Sequence, residues 1–524
     1  MMLFYWLTHL KGLGRLLRKG KFMGSSESFN LATSQKNVLL VDLNNEAPFP
    51  TLAIGYLTTP LKNAGYNVDV FAPLAYVNKI LPRDVEETWK NYAVQRIRFA
   101  AHPMIEWANN LIYNMVSKYR FRPTKPFKEA VAEQINKEKV DVVLISAYLQ
   151  YHEMATEICA RAKQQGIPVL LGGPFFNVKD VTKEWLDMEG VTAIFGGEPE
   201  FVLDKLVDDL IHERDLSLHP GIFTKSNFAV AQAAPPLKMT KDLPIPDLGF
   251  FSWDNHPHRI IPLMTGRGCG WGKCLFCSDV TTASTRSYRT RPEQAVLEEL
   301  ELQSKRYDCK NFIFFDSKMN SDLEMWNCII DNMQKVVPGA TWVATVHVDG
   351  KGVNGLERET LQKAHDAGLR RMGFGLETGS QKLNNRMLKG TKVERMGQFI
   401  KDASEIGISL RASVILGYPG ETYQDIEQTI LFIEEHFEQL DRLHLAKFKA
   451  IPSTAFETRF KKKPFKYPSI SHLEWNNMFA RADYKFSPPE KNKYRNAKRR
   501  LIKLIHDVNK RPLMDSAQQF NGIM

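Results

Sequence analysis

The sequence predicts an α/β protein with two successive parallel-sheet units, a doubly wound sheet and a partial (β/α)6 barrel, followed by a basic helical C-terminal region. From residue 37 onward, short β-branched apolar runs alternate with amphipathic stretches, as in sheets whose parallel strands are joined by helices. A proline-rich stretch at 216–255 interrupts this series. The second series has six strand–helix repeats in about 190 residues, too few for a closed eight-fold barrel.

The predicted elements follow in chain order. The first unit has strands at 37–42, 67–71, 140–146, 168–171 and 192–195, with helices at 51–64, 154–165 and 199–211. The barrel has strands at 260–265, 311–315, 341–346, 371–375, 409–416 and 442–450, with helices at 292–304, 321–336, 356–367, 393–406 and 422–435. The boundaries that result are 1–36 for an N-terminal extension, 37–215 for the first unit, 216–255 for the linker, 256–460 for the barrel and 461–524 for the C-terminal region.

Composition limits the classes of protein that this chain can be. Its 524 residues are 43% hydrophobic and 25% charged, a globular balance that excludes disordered, collagen-like and coiled-coil proteins. There is no run of 18 apolar residues, so no transmembrane helix is expected. Six cysteines are too sparse for a disulfide framework, which indicates catalytic or metal-binding thiols in a reducing compartment. We therefore expect a cytoplasmic protein.

The net charge of +11 is concentrated at the two ends of the chain. Residues 1–22 carry five Lys/Arg and no acid, and residues 461–524 carry 15 Lys/Arg against 5 Asp/Glu. A basic C-terminal region suits an anionic substrate, nucleic acid or membrane, although a solvated helix is the simpler interpretation. The leucines among the basic residues of 1–22 allow either an interfacial helix that touches a membrane or a helix packed on the body. Met23 is an alternative start of translation.

Three of the six cysteines, Cys269, Cys274 and Cys277, fall within nine residues directly after the first predicted barrel strand. Clustered thiolates are soft ligands that select zinc, copper(I) or iron–sulfur clusters. A structural zinc site needs four closed ligands, and only His256 and His258 are near enough in sequence to complete one. Three thiolates on one loop suit a four-iron cluster with one open iron, so this interpretation is favoured over zinc and over unliganded thiols. The remaining cysteines are expected to be packed residues: Cys159, Cys309 and Cys328.

The loop at 265–279 resembles the cluster-binding loop of radical SAM enzymes. That family usually has the spacing Cys-x3-Cys-x2-Cys, whereas this loop has Cys-x4-Cys-x2-Cys, with Phe276 in the family's aromatic position. Ribosomal-peptide maturases of the family have expanded spacings with a similar Gly-Cys-x-Trp-Gly opening. The resemblance implies that the three cysteines bind a 4Fe–4S cluster whose open iron chelates S-adenosylmethionine (SAM).

Three further segments resemble the family's SAM-binding motifs and occur in the family's order. Segment 312–320 resembles the acidic end of the second strand, and 373–380 resembles Gly-x-Glu-Ser-Gly-Ser with Thr378 replacing the first serine. Segment 411–422 resembles the fifth-strand motif, whose polar residues would face the SAM carboxylate and ribose. The SAM contacts implied by the resemblance are Phe276, Asp316, Ser317, Gly375, Glu377, Ser380, Arg411 and Ser413.

The first unit resembles the Rossmann-like, cobalamin-binding type of domain that precedes the TIM-type barrel in many radical SAM enzymes. The matching pieces are 50–57, 145–146, 171–174 and 196–200, and glycine pairs end two of the predicted strands. The turn that carries Asp-x-His-x-x-Gly in histidine-donating domains reads Asp42-Leu-Asn-Asn-Glu-Ala here, so a bound cobalamin would lack a histidine ligand on its lower face. The cobalamin contacts implied are Asn44, Ser146, Gly172, Gly173, Gly196, Gly197 and Glu198. A domain that has kept the fold and lost the cofactor is the alternative.

Together, these resemblances imply an enzyme that reductively cleaves SAM to a 5′-deoxyadenosyl radical, which removes a hydrogen atom from its substrate. With cobalamin, the leading function is methylation of an unactivated carbon or a phosphorus centre. A radical SAM cyclase, an oxidative enzyme or a peptide maturase without methyl transfer is the alternative. Methylthiotransferases match less well, because they carry three further cluster cysteines where 1–255 hold only Cys159.

The expected partners follow from this chemistry and from the basic C-terminal region. They are a small-molecule or peptide substrate and an electron donor such as flavodoxin or ferredoxin. The excess of lysine and arginine would suit an anionic substrate. Nucleic acid is not expected, since no RNA-binding module is evident. A metal-stabilised binding protein that is not an enzyme is the hypothesis from another class.

Overall fold

The computed structural model describes most of the chain. The described ranges are 35–43, 49–76, 86–99, 121–136, 139–255, 259–278 and 288–521. By its contacts the chain divides into residues 1–35 and one compact body, 36–524, which contains both the first unit and the barrel. The predicted helix near the N-terminus, Asn44, His256 and His258 lie outside the described residues. No helix within the described ranges is long and apolar enough to cross a membrane.

The first sheet has six strands. They are β1 (Asn37–Leu43), β2 (Asn67–Phe71), β3 (Val142–Ala147), β4 (Val169–Gly172), β5 (Ala193–Phe195) and β6 (Ile222–Phe223). Their order is β2-β1-β3-β4-β5-β6, and every pair is parallel except β5 with β6. The five parallel strands match the prediction, whereas β6 lies within the predicted linker and is too short to give a sequence signal.

Helices cover both faces of this sheet, as in a doubly wound fold. They are α1 (Leu52–Asn63), α3 (Lys125–Asn136), α4 (His152–Gln164), α5 (Lys179–Leu186) and α6 (Leu203–Ile211). A further helix of this part of the chain, α2 (Trp89–Arg98), contacts the C-terminal helix at 491–509 instead. Apolar residues of α3, α4 and α5 pack on one face, and those of α1 and α6 pack on the other. Helix α2 has no buried residue, so it lacks the apolar stripe from which a helix is predicted.

The second sheet is the predicted partial barrel. Its six parallel strands are β7 (Ile261–Leu263), β10 (Asn311–Phe314), β11 (Thr341–Val346), β12 (Leu369–Glu377), β13 (Ser409–Leu416) and β14 (Arg442–Lys447), in sequential order. The outer helices are α7 (Glu293–Tyr307), α8 (Leu323–Val336), α9 (Arg358–Asp366), α10 (Gln381–Met387), α11 (Val393–Ile406) and α12 (Tyr423–Glu435). A small antiparallel pair, β8 (Gly266–Arg267) with β9 (Arg289–Thr290), brackets the cysteine loop. Helix α10 was not predicted, and it inserts directly after β12.

The proline-rich segment is packed between the two sheets' helices. The Thr59 hydroxyl of α1 donates to the Ile245 carbonyl at 2.8 Å, and Gln303 of α7 donates to the Pro246 carbonyl at 2.7 Å. Leu248 is fully buried and its N–H donates to the Tyr307 hydroxyl at 2.8 Å. These contacts fix the first sheet against the barrel.

The C-terminal region contains the expected basic helix and a hairpin that was not predicted. After α13 (Ala455–Lys462), strands β15 (Ile470–Asn476) and β16 (Arg481–Phe486) pair antiparallel, and α14 (Lys491–Asn509) follows. The hairpin tip packs on the first unit, where Trp185 donates its Nε1–H to the Met478 carbonyl at 3.0 Å. The hairpin therefore bridges the barrel and the first sheet.

Candidate active site

A cavity of about 670 Å3 lies where the carboxyl ends of the first sheet meet the mouth of the barrel. From the first unit it is lined by residues that include Ser146, Gly172, Gly173, Gly197 and Glu198. From the barrel it is lined by residues that include Gly266, Arg267, Gly268, Phe315 and Ser317. The structure thus brings five residues predicted to contact cobalamin and one predicted to contact SAM to one cavity, whose size suits a large ligand.

The first unit lines this cavity with apolar side chains such as Tyr56 and Leu171, and with glycine backbone between them. An added Cβ at Gly172 would have no atom within 4 Å, whereas one at Gly173 would overlap the Ala147 carbonyl. Gly197 has a φ of +150°, a region that side chains rarely adopt. Gly196 packs against the Phe176 carbonyl behind the cavity instead of lining it. Of the two Gly-Gly pairs, Gly172 is therefore open to a ligand, whereas Gly173 and Gly196 lie where close packing requires glycine.

Glu198 holds the two units together. Its carboxylate lies 2.7 Å from Arg289 and 3.1 Å from Arg267, and it accepts the Leu237 N–H at 2.8 Å. Burial acts to raise the pKa of Glu198, but the two guanidinium groups outweigh it and hold the pKa below its ordinary value. Arg267 also pairs with Glu200 and lies over the Tyr56 ring. This network fixes the residue that stands two positions before Cys269.

The cysteine loop is anchored along its length. The Gly270 N–H donates to the Ser321 hydroxyl at 3.0 Å, and the Leu275 N–H donates to the Met387 carbonyl at 3.0 Å. Between them, the Trp271 Nε1–H donates to the Leu388 carbonyl at 2.9 Å, and the indole lies flat on Gly390. Cys269, Cys274 and Cys277 form no disulfide and are partly exposed on this loop.

Asp316 supports the base of the same loop. Its carboxylate accepts three hydrogen bonds, from the Thr265 N–H at 2.9 Å, the Thr265 hydroxyl at 2.6 Å and the Gly266 N–H at 2.9 Å. Burial raises its pKa, and these donors oppose that shift. The predicted role beside the SAM amino group is untested, and these bonds make Asp316 a positioning residue for the loop. Its neighbour Ser317 is exposed and lines the cavity.

A buried ion pair stands beside the cysteines. Lys389 donates to Glu377 at 3.0 Å, and Ser413 donates to the other oxygen of the same carboxylate at 3.2 Å. Both charged groups lie over Gly375, where an added Cβ would overlap them. Burial acts to lower the pKa of Lys389, while the charges of Glu377, Cys274 and Cys277 raise it above its ordinary value. Glu377 has a φ of +58°, strained backbone of the kind stored at functional sites.

Other predicted SAM contacts occupy distinct positions. Arg411 and Ser413 alternate with buried residues of β13, so they face the barrel interior, beside Gly373 and Gly375 of β12. Phe276 packs near the Tyr418 ring, with 6.4 Å between centroids. Ser380 is fully buried, caps α10 by accepting the Leu383 N–H, and donates to Asp425 at 2.6 Å. Its hydroxyl therefore supports the local fold.

The donor set fits an iron–sulfur cluster. Three thiols that form no disulfide share one loop at the barrel mouth, and a buried lysine beside two of them favours a negatively charged centre. Burial raises the pKa of the Cys274 thiol to about 11, against the effect of Lys389, and a bound metal would deprotonate it. Within the described ranges, no three Cys, His, Asp or Glu side chains already stand together as a metal-binding group.

Sequence reasoning missed two charged residues of this region. Lys389 follows α10 in an ordinary Leu-Lys-Gly turn, and its approach to the cysteines depends on the fold alone. Arg267 stands between two glycines directly before the first cluster cysteine, a position that could have drawn attention to it. The roles of Lys389 and Arg267 become evident only in the folded structure, where the loop, α10 and the first unit lie together.

Comparison with known proteins supports the assignment of the barrel. Residues 263–433 match the radical SAM superfamily. The chain is 26% identical over 313 residues to a protein named uncharacterized methyltransferase from Pyrococcus horikoshii, covering 58% of this chain and 66% of that one. It is 27% identical over 318 residues to the anaerobic magnesium-protoporphyrin IX monomethyl ester cyclase of Rubrivivax gelatinosus, covering 58% and 55%. The prediction of a radical SAM domain is confirmed, and the matches span only about half to two thirds of these relatives.

The whole architecture also resembles a solved structure. The radical S-adenosylmethionine methyltransferase TsrM from Kitasatospora setae, solved with cobalamin and a 4Fe–4S cluster bound, superposes with a TM-score of 0.63 and 15% identity. The match covers 90% of this chain and 89% of that one. At this identity the likeness establishes the fold alone, a doubly wound, Rossmann-like sheet followed by a partial barrel.

Proposed function

We propose that this protein is a cobalamin-dependent radical SAM enzyme that methylates an unactivated carbon or a phosphorus centre. The observation that carries the proposal is the shared cavity, which joins Gly172 and Gly173 of the first sheet to Gly266–Gly268 at the start of the cysteine loop. A group held by the first unit would therefore face the position where the barrel binds SAM.

Each cofactor has residues that suit it. Cys269, Cys274 and Cys277 would hold the cluster, and the cavity wall of Ser146, Gly172, Gly173 and Gly197 would hold cobalamin. When bound, the cluster supplies one electron to SAM and the cobalamin supplies a transferable methyl group. The described residues of the turn after Asp42 include no histidine that could bind the cobalamin metal from below.

The chain's own residues would position SAM and exclude water. Glu377 at the end of β12 and Arg411 near the start of β13 carry opposite charges on adjacent strands, which suits the amino and carboxylate groups of a zwitterion. Lys389 holds the Glu377 carboxylate in place through their buried ion pair. Asp316, Trp271 and Ser380 keep the loop and α10 fixed, so that bound groups meet at a defined distance.

A radical SAM cyclase is the second candidate. It is favoured by the match to a cyclase at 27% identity, as high as the match to a methyltransferase. A methylthiotransferase has less support, because Cys159 is the one cysteine before residue 256 and it is completely buried in the first sheet's core.

The experiment is product analysis with anaerobically purified protein grown with cobalamin. Iron and cobalamin per chain are measured first, and SAM is then supplied with dithionite and cell metabolite extract. Methyl transfer predicts about four irons and about one cobalamin per chain, S-adenosylhomocysteine, and a product heavier by one methyl group. Cluster and SAM cleavage without cobalamin or S-adenosylhomocysteine would overturn methyl transfer and favour the cyclase. An intact cluster with no SAM cleavage would overturn both.

A further inference from the structure

Helix α13 packs directly on the cysteine loop. The Phe456 N–H donates to the Leu275 carbonyl at 2.9 Å, and Leu275 lies between Cys274 and Cys277. Both side chains are buried, at 1% and 2% exposure, in one cluster of apolar residues. Helix α13 therefore lies between the protein surface and the cysteine loop, which it contacts through this backbone hydrogen bond.

The outer side of α13 and the turn after it is strongly basic. Residues 461–466 are all exposed, and we call Arg459, Lys462, Lys463 and Lys466 the basic surface. Among the described residues, none of these four side chains forms a salt bridge, whereas Lys461 pairs with Glu457 at 2.7 Å. Phe465 stands among them with 75% of its surface exposed. A large apolar side chain surrounded by unpaired cations is typical of a protein-binding surface.

Aromatic rings connect this surface to the loop. Phe456 lies 5.9 Å from Phe460 and 5.3 Å from Tyr467, measured between ring centroids. On its other side Phe456 lies 6.5 Å from Tyr418, which lies 6.4 Å from Phe276, the residue before Cys277. Close packing thus runs without a gap from the exposed side of α13 to the cluster cysteines.

We propose that the basic surface is the docking site of an acidic one-electron carrier protein that reduces the cluster. This inference rests on the proposed function, since it needs a cluster on Cys269, Cys274 and Cys277. One electron leaves the reduced carrier and enters the cluster, which passes from its 2+ to its 1+ state, and no bond is made or broken. Charge complementarity steers the carrier, and Phe465 contacts it at the centre of the surface.

The test compares two reductants on the same holoenzyme. The variant K462E/K463E/K466E reverses three charges of the basic surface, and the control K205E/K225E/K241E reverses three exposed lysines of the first unit and linker. Stopped-flow absorption follows cluster reduction by reduced flavodoxin and, separately, by dithionite, and flavodoxin binding is measured by titration. At low ionic strength we expect flavodoxin to reduce the first variant at least about tenfold more slowly than wild type and to bind it more weakly.

The outcomes separate the two proposals. Docking predicts that dithionite reduces all three proteins at the same rate, that the control behaves as wild type with flavodoxin, and that added salt slows wild type towards the variant. Equal flavodoxin rates in wild type and the first variant would overturn the docking site while leaving the cluster in place. Failure of dithionite to reduce any cluster in wild type would overturn the proposed function itself. Binding of single-stranded RNA or anionic vesicles that is lost only in the first variant, with flavodoxin rates unchanged, would assign the surface to those partners instead.

Discussion

The two proposed cofactor positions are built in different ways. The first sheet gives the cavity a glycine wall among apolar side chains, with Gly172 open and Gly173 packed on the Ala147 carbonyl. The barrel interior beside the cysteine loop gives a charged wall outside this cavity, with Lys389 and Glu377 paired at 3.0 Å over Gly375. A wall of backbone accepts a ligand by shape and area, whereas a wall of fixed charges accepts a small polar ligand by its charge pattern. The difference suits a large planar cofactor on one side and a zwitterion on the other.

This comparison has a consequence for stability. The glycine wall can be changed at an open position without affecting the fold, because nothing packs there. The charged wall cannot be changed without loss of stability, because removal of one partner of the ion pair leaves the other charge buried and unpaired. The variants below test each side of that distinction.

The largest effect is expected from the thiols of the charged wall. Cys274→Ser should remove the cluster, so iron should fall from about four per chain to background and SAM cleavage should be lost. Cys328→Ser, at a partly exposed cysteine of α8, is the matched control and should keep both. Iron analysis and 5′-deoxyadenosine formation measure the result, and full iron content in the Cys274→Ser variant would contradict the assignment.

The next effect concerns the ion pair. Lys389→Met leaves Glu377 buried without its partner, and the free energy of unfolding should fall by about 3–5 kcal/mol. The double variant Lys389→Met/Glu377→Gln removes both charges, so its loss should be smaller than the sum of the two single losses. Urea denaturation of all three variants measures this coupling. Strictly additive losses would show that the two charges do not depend on each other.

The glycine wall should separate binding from stability. Gly172→Val places its side chain in open space, so stability should change by about 0.5 kcal/mol or less while cobalamin binds at least about tenfold more weakly. Gly173→Ala forces a Cβ onto the Ala147 carbonyl and should lower stability by about 1–3 kcal/mol. Cobalamin titration and thermal unfolding distinguish the two. Normal cobalamin binding by the Gly172→Val variant would argue against the proposed cofactor position.

A pH-dependent effect is expected where the first unit is joined to the barrel. Arg289 and Arg267 hold the pKa of Glu198 below its ordinary value of 4.5, so the stability it contributes is complete above that pH and is lost as the pH falls further. Glu198→Gln should cost about 1 kcal/mol at neutral pH, and its stability should fall less steeply than that of wild type below about pH 4.5. Denaturation midpoints across this range provide the measurement. If stability falls equally steeply with pH in the two proteins, Glu198 does not contribute to the contact between the first unit and the barrel.

The fold was predictable where the sequence has strong periodicity. Every parallel strand of both sheets was predicted, because runs such as 37–43 and 409–416 are apolar or strictly alternating. Helices α2, α3 and α5 and the C-terminal hairpin were missed. Helix α2 buries no residue, and the hairpin strands are partly exposed and polar. Local sequence does not encode these elements, because long-range packing holds them in place.

The candidate site was predictable to a lesser extent. Motif order identified the cysteine loop and the glycine wall, and the structure gathers them around one cavity. It could not identify the partners that hold Asp316, Ser380 and Glu198, because those partners lie 51, 45 and 91 residues away in the chain. The roles of residues that depend on such long-range contacts can be assigned only from the three-dimensional structure.

The hairpin that reaches the first sheet sets an order of events during synthesis. Trp185 and Met478 are 293 residues apart, so the first sheet leaves the ribosome long before the strands that pack on its α5 helix. A nascent chain must keep that face uncovered while the whole barrel is made. Cofactor loading during this interval would meet a more open protein than the finished one, which makes the timing of cobalamin supply relative to translation a variable for producing active protein.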